Sequence, residues 1–137
     1  MTAALKLAIR TTLTNDSSYI TAVGSPTSAP YNTYYNKPPN PPTFPQVVFW
    51  TRPGRLDQSN GRDILSTNYD LHFFIWSQSG NCETIKNRII YLLHQVGNSS
   101  NGFRTILNSE PEEVEDEELN AWGVHIVFNL FYRREII

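Results

Sequence analysis

Cysteine is almost missing from this chain. The single residue Cys82 has no second thiol in the chain to pair with, so an internal disulfide is excluded. Cys82 stands where a helix is predicted to begin, and we interpret it as a small apolar side chain in preference to a reactive thiol. These features fit a reducing compartment, and we expect the protein to be made in the cytoplasm.

An excess of positive charge is also missing. Eleven Lys and Arg residues stand against thirteen Asp and Glu, which gives a formal net charge of −2. Proteins that mainly neutralise phosphate groups usually carry a marked surplus of basic residues. The composition therefore argues against nucleic-acid binding as the main function.

Long apolar runs and catalytic signatures are absent as well. Lys6 and Arg10 interrupt the apolar residues near the N-terminus, and no run approaches the roughly 18 residues of a membrane span. The chain contains no HExxH, CxxC or GxSxG motif and no phosphate-binding loop. We therefore expect a soluble protein that is not an enzyme and uses no cofactor.

The central feature of the sequence is a predicted strand followed by a predicted helix, between residues 68 and 96. Four residues alternate on one face of the strand: Tyr69, Leu71, Phe73 and Ile75. Apolar residues recur at helical spacing in the second half: Ile85, Ile89, Leu92, Leu93 and Val96. A polar turn at 77–81 joins the two patterns, and Gly97 is predicted to end the helix. The two apolar faces are expected to meet in one core.

The remaining patterns predict a helix at 2–13, a short turn at 19–23 and strands at 45–51, 103–107 and 122–132. The last strand has six residues on one face: Trp122, Val124, Ile126, Phe128, Leu130 and Tyr132. This order of elements predicts an α+β fold, a two-layer sandwich in which a mostly antiparallel sheet of about four strands carries two helices on one face. Residues 1–137 are predicted to form a single domain.

Three segments interrupt the regular pattern. Seven of the nine prolines lie within 25–45, which predicts an ordered, extended connector. Residues 52–67 are predicted to form a protruding β-arm that bends near Asn60-Gly61 and carries Arg52, Arg55 and Arg62. Residues 110–118 hold seven acidic side chains in nine positions and are predicted to form an exposed loop.

Two groups of residues on the second face of the sheet are candidate sites. Neighbouring strands would bring His72 and His125 close to Asp70, as a metal or acid–base cluster requires, but packing histidines are the interpretation we favour. The same face carries a set of apolar residues, Phe74, Trp76, Val127 and Phe131. An exposed apolar patch of this kind usually marks association, so we expect the sheet to pair with another chain.

The order of elements resembles the tail-terminator (tail-completion) family of long-tailed bacteriophages. The resemblance rests on the connector leading into Phe44–Phe49, on the strand Tyr69–Ser77 followed by Gly80 and a helix, and on the ending Phe131-Tyr132-Arg133. The connector is longer than expected of a compact member. What the resemblance implies is a structural virion protein without catalysis, assembled in the host cytoplasm, which forms a hexameric ring on the head-proximal end of the tail tube.

Such a ring ends tube polymerisation and offers a docking surface to the head connector. The implied partners are copies of the chain itself, the tail tube protein and the head-completion protein, while DNA passes without specific binding. The expected contact residues are Arg52, Arg55, Arg62, Phe74, Trp76, Val127, Phe131 and Arg133. The expected acidic residues of the lumen or of a partner contact are Glu112, Glu113, Glu115 and Glu117.

Two other functions remain open at this point. One is a head-completion or neck adaptor protein of the same particles. The other is a small nucleic-acid-binding α+β module, in which Phe74 and Trp76 would stack on bases. The acidic net charge weighs against the second of these.

Overall fold

Strand alternation and helical spacing produce seven strands and three helices in the computed structural model, which describes residues 3–28, 30–37, 43–58, 64–78, 80, 82–94, 97–98, 103–118 and 120–135. The helices are α1 (Ala3–Thr14), α2 (Ser17–Ala22) and α3 (Cys82–Leu93). The strands are β1 (Thr33–Tyr35), β2 (Gln46–Gln58), β3 (Ile64–Ser77), β4 (Gly97–Asn98), β5 (Phe103–Leu107), β6 (Glu112–Asp116) and β7 (Ala121–Glu135).

Three long antiparallel strands form the centre of the sheet. β3 lies between β2 and β7, with Phe73 opposite both Phe49 and Ile126. β1 extends the sheet beside β2, and β5 followed by β4 extends it beside β7. β6 pairs with the first part of β7, and β5 pairs with the later part. The predicted α+β fold with a mostly antiparallel sheet is confirmed, since β1 with β2 is the one parallel pair in the described part of the chain.

All three helices pack on the same face of the sheet. The buried residues of this face are Val47, Phe49, Leu71, Phe73, Ile75, Val124, Ile126, Phe128 and Leu130. The helices add Leu5, Ile9, Leu13, Tyr19, Ile85, Ile89 and Leu93 to the same cluster. Each of these side chains contributes about 1.5–3 kcal/mol by leaving water, so the layer contact is the main source of stability.

Asp16 joins the helices to one another. Its carboxylate accepts a hydrogen bond from the Tyr19 amide at 2.8 Å, which caps the N-terminus of α2. The same carboxylate accepts two hydrogen bonds from Arg88 of α3, both at 2.6 Å. These hydrogen bonds from Arg88 are the main reason that the pKa of Asp16 lies below its usual range. Asp16 therefore links the N-terminus of α2 to α3.

The structure corrects several details of the sequence prediction. The sheet has more strands than the expected four, because short pieces of irregular sequence add to its edges. Residues 17–22 form a helix where a turn was expected, since Asp16 supplies the cap. Within the Pro-rich connector, β1 pairs with β2, and the buried Tyr19 hydroxyl lies 2.6 Å from that of Thr33.

The predicted helix is also shorter than its apolar pattern. α3 ends at Leu93, where the Thr105 hydroxyl donates to the Leu93 carbonyl and satisfies one of the free acceptors at the end of the helix. Val96 lies outside the described residues. The segment expected to be an acidic loop contains β6 instead, because β7 offers a free edge for its backbone.

Candidate assembly surfaces

A row of parallel aromatic rings lies on the face of the sheet that the helices leave open. We define this aromatic row as Trp50, His72, His125, Phe74 and Trp76. Trp50 and His72 stack with centroids 5.1 Å apart and planes 4° apart, and His72 and His125 stack at 5.1 Å. Phe74 continues the row at 5.5 Å from His125 and 4.8 Å from Trp76. The rings are only half-buried, so a second molecule can reach them.

The two imidazoles of the aromatic row share a hydrogen bond. His72 Nδ1 lies 2.9 Å from His125 Nε2, so one ring donates and the other accepts. The second nitrogen of His72, Nε2, is buried and has no partner among the described residues. Burial, followed by the nearby His125 and Arg52, lowers the pKa of His72. The burial and the neighbours of His72 in the aromatic row therefore favour its neutral form.

Gly123 makes the close packing of the row possible. It lies opposite Trp76 in the sheet, beneath the rings of Phe74 and Trp76. A Cβ atom at this position would meet Phe74 Cε1 at 2.8 Å and Trp76 Cζ3 at 2.9 Å. The absence of a side chain at Gly123 lets both rings lie against the backbone of β7.

The apolar candidates of the sequence analysis all lie on this open face. Phe74 and Trp76 belong to the aromatic row, Val127 pairs with His72 across the strands, and Phe131 is 36 % exposed. Sequence reasoning missed Trp50 and Gly123. Strand alternation from the buried Phe49 would have placed Trp50 on the open face, whereas no local signal distinguishes Gly123.

β6 forms an exposed acidic edge of the sheet. Glu113 and Glu115 lie opposite Val124 and Trp122, on the side of the helices, while Glu112 lies opposite His125 on the open face. All three side chains are exposed, and Glu117 follows in an exposed turn. Mutual repulsion keeps these side chains in water, while the backbone of the segment is satisfied by β7. The four acidic candidates therefore do not share one surface.

A cavity lies between this acidic edge and the start of α3. Its volume is about 200 Å³, and its lining includes Cys82, Glu83, Glu113 and Trp122. The Cys82 thiol donates to the Trp122 carbonyl at 3.1 Å. Burial and the nearby Glu113 raise the pKa of Cys82, which favours the neutral thiol. We name this feature the Trp122 cleft.

Trp122 itself corrects the sequence analysis. Alternation predicted that it would share the buried face of β7, and its side chain is instead 52 % exposed. It is the second residue of β7, on the side where Val124 is covered, and the helix layer does not extend over it. The result is a large exposed indole beside two carboxylates.

The predicted β-arm consists of continued strands. β2 and β3 stay paired beyond a register shift between Pro53 and Leu56, as far as Gln58 opposite Leu65. β7 follows them, with Arg133 opposite Ser66. Arg52 is exposed and lies opposite Asp70, and Arg55 lies within β2. Arg62 and the Asn60-Gly61 bend lie outside the described residues.

The described part of the chain holds no group of three or more His, Cys, Asp or Glu residues arranged for a metal ion. Asp70 lies opposite Arg52 and Asn129 rather than opposite a histidine. None of the described helices combines the length and the apolar character that crossing a membrane requires.

Comparisons with known proteins identify the fold. No protein-family model matches the chain, and no curated protein matches it in sequence. Among solved structures, the chain is similar to a chain in the virion of a native gene transfer agent particle, with a TM-score of 0.69 and 14 % sequence identity. The match covers 95 % of this chain and 95 % of that chain. At this identity the likeness establishes a shared fold over the matched 95 % of both chains.

Proposed function

We propose that this protein is a structural component of a phage-like virion, and specifically a tail terminator. In this function a closed, hexameric ring of the protein caps the head-proximal end of the tail tube. The ring ends tube polymerisation and provides the docking surface for the head connector. Chemistry plays no part in this function, and the protein needs no cofactor.

The observation that carries the proposal is the end-to-end likeness to a virion chain. It covers 95 % of both chains with a TM-score of 0.69, so the whole fold is shared and not one motif. The element order that resembles the tail-terminator family supports the finer assignment. A nucleic-acid-binding module of this size would carry a basic surplus, which the net charge of −2 does not provide.

The open face of the sheet is the proposed subunit contact. The aromatic row presents half-buried rings, with Val127 and Phe131 beside them. Burying such rings against a second chain removes a large apolar area from water, and rigid rings lose little side-chain entropy. In a ring the contact is heterologous, so the open face of one copy meets a different surface of the next. Arg52, Arg55, Arg62 and Arg133 would add polar contacts around it.

A polymerisation assay tests the proposed function. Tail tube protein is assembled with and without this protein, and tube lengths are measured by electron microscopy. A tail terminator added during growth stops elongation and gives shorter tubes as its concentration rises. A head-completion or neck adaptor protein would leave tube length unchanged and bind only to the head connector. Tube lengths independent of the protein would contradict the proposal.

A further inference from the structure

We propose that the pair of His72 and His125 makes assembly sensitive to pH, so that the subunit contact forms when His72 is neutral and weakens when His72 takes up a proton. The inference rests on the proposed function and adds regulation to its subunit contact. The two imidazoles lie in the middle of the aromatic row, on the open face that a second copy is proposed to cover. Their hydrogen bonding, their surroundings and their burial carry the argument.

Hydrogen bonding makes a proton on His72 unfavourable at either nitrogen. His72 Nδ1 lies 2.9 Å from His125 Nε2, and one of the two nitrogens carries the shared proton. If His125 carries it, a proton added to His72 Nδ1 meets that N–H, and the hydrogen bond is lost. If His72 Nδ1 carries it, the added proton goes to His72 Nε2, which is buried and has no partner among the described residues. Protonation of His72 therefore breaks a hydrogen bond or leaves a buried donor unpaired, whichever tautomer is present.

The charged groups around the pair add to this preference. Arg52 of β2 and Asp70 of β3 lie opposite each other on the open face, two positions along their strands from the aromatic row. Glu112 of β6 lies opposite His125 of β7. Burial, followed by the nearby His125 and Arg52, lowers the pKa of His72, and the Asp70 carboxylate offsets only part of this effect. The free protein therefore already favours the neutral form of His72.

Assembly would strengthen that preference. In the free protein the rings of the aromatic row are half-buried, so water still reaches part of them. A second copy laid over the row removes this water, and a charge that loses its water is disfavoured unless a partner replaces it. The assembled protein then binds a proton at His72 less readily than the free protein does. By linkage, a proton on His72 must weaken assembly by the same factor.

The direction of the effect defines its pH range. The pKa of His72 in the free protein lies below the ordinary value of about 6.5. Above that lowered pKa both the free and the assembled protein carry a neutral His72, and assembly does not depend on this group. As pH falls through it, only the free protein gains the proton, and assembly weakens. The contact should therefore be strongest at neutral pH and weaker at mildly acidic pH.

The test compares assembly at two pH values in the original protein and in three variants. His72→Phe, alone and together with His125→Phe, keeps flat rings in the row and removes titrating groups. His94→Gln is the matched control, because His94 lies at the end of α3, where it accepts a hydrogen bond from the Leu107 amide at 3.0 Å. Sedimentation velocity gives the dissociation constant between copies at pH 7.5 and at the lowest pH, between 5 and 6, at which circular dichroism shows every variant folded.

The pH dependence, and not the strength of assembly, is the quantity compared. For the original protein and His94→Gln we expect the dissociation constant to rise about fivefold or more at the lower pH, where about tenfold per pH unit is the limit for one proton. Both His72→Phe variants should lose most of this rise, whatever their dissociation constant at pH 7.5. In the original protein, NMR of isotope-labelled histidine should also give a lower pKa for His72 in the assembled form than in the free form.

The possible failures are distinguishable. Equal dissociation constants of the original protein at both pH values would overturn the inference and leave the proposed assembly intact. A pH dependence that survives in the double variant would also overturn it, since other groups would then carry it, and one that survives only in His72→Phe would assign the proton to His125. An original protein that stays monomeric at both pH values, in solution and on tail tubes, would contradict the proposed function and the inference with it.

Discussion

His72 Nδ1 and His125 Nε2 lie 2.9 Å apart on neighbouring strands, within a row of rings that begins at Trp50. The contact needs a proton on one of the two nitrogens and a lone pair on the other. A proton added to neutral His72 would place a positive charge in the row, at 5.1 Å from the stacked ring of His125 and near Arg52. The open face is therefore best packed when His72 is neutral.

Stability should fall as this histidine is forced to accept a proton. The folded-state pKa of His72 is lowered, chiefly by burial, so the unfolded chain binds the proton at a higher pH. The contribution is constant above the unfolded pKa of about 6.5 and is lost as pH falls below it. Urea unfolding between pH 7.5 and 5 should show this loss, and His72→Phe should reduce it. Trp50→Phe is the control, because it alters the row without removing a titrating group. If the free energy of unfolding depends on pH equally in His72→Phe and in the original protein, the account is contradicted.

Replacing Gly123 by Ala should disturb the packing of Phe74 and Trp76, at the end of the aromatic row away from Trp50. The new Cβ would meet ring atoms of Phe74 and Trp76 at 2.8 and 2.9 Å. Overpacking of this kind costs about 1–3 kcal/mol of the free energy of unfolding. In a background with Phe74→Ala and Trp76→Ala the same change should cost much less, because the rings are gone. A cost that is equal in both backgrounds would show that Gly123 matters for another reason.

Asp16 should contribute to the free energy of unfolding in two separable ways, as the cap of α2 and as the partner of Arg88. Asp16→Ala removes the cap of α2 and the pair with Arg88, whereas Asp16→Asn keeps a capping side chain and Arg88→Met removes only the pair. Loss of the cap alone is expected to cost about 1 kcal/mol. Because the pKa of Asp16 is lowered in the folded protein, the pair contributes fully above the unfolded pKa of about 3.9, and its contribution is lost progressively as pH falls from there through the lower folded-state pKa. Chemical unfolding at pH 7 and pH 3 measures both parts. A difference between Asp16→Asn and the original protein that does not shrink from pH 7 to pH 3 would contradict the assignment.

The acidic edge should have two different functions on its two faces. We expect Glu112→Lys to weaken assembly, since Glu112 lies opposite His125 on the open face, the proposed subunit contact. Glu113→Lys with Glu115→Lys should leave assembly intact and impair DNA passage, because these two residues lie off the open face and would repel phosphates in the lumen at distances within about 8 Å. Ring formation and particle infectivity are the two measurements. Identical behaviour of the two variants would show that the faces are not distinct.

Much of the central fold follows from local pattern. The alternation at Leu71, Phe73 and Ile75 and the helical spacing of Ile85 and Ile89 predict the core because each pattern must bury its apolar face. Predicting neighbouring strands was also enough to expect His72 and His125 close together. In these cases the spacing of residues within one strand or helix determines which side chains share a face.

The sequence predictions are wrong where a distant part of the chain determines the local structure. β6 is too acidic to read as a strand, and only the free edge of β7 makes it one. Trp122 has the correct alternation, yet its burial depends on how far the helix layer reaches. The Leu93 carbonyl at the end of α3 accepts a hydrogen bond from Thr105, twelve positions further along the sequence. Sequence patterns do not contain these tertiary contacts.

Imaging of tail tubes mixed with the purified protein tests the central claim most directly. Electron microscopy should show a closed ring at one end of each tube, the end that binds the head connector, with density for the sheet of each copy against its neighbour. The ring should disappear with Trp50→Ala and Phe74→Ala, which remove rings from the aromatic row. Tubes whose two ends are both bare, with the protein remaining monomeric at every concentration, would contradict the account.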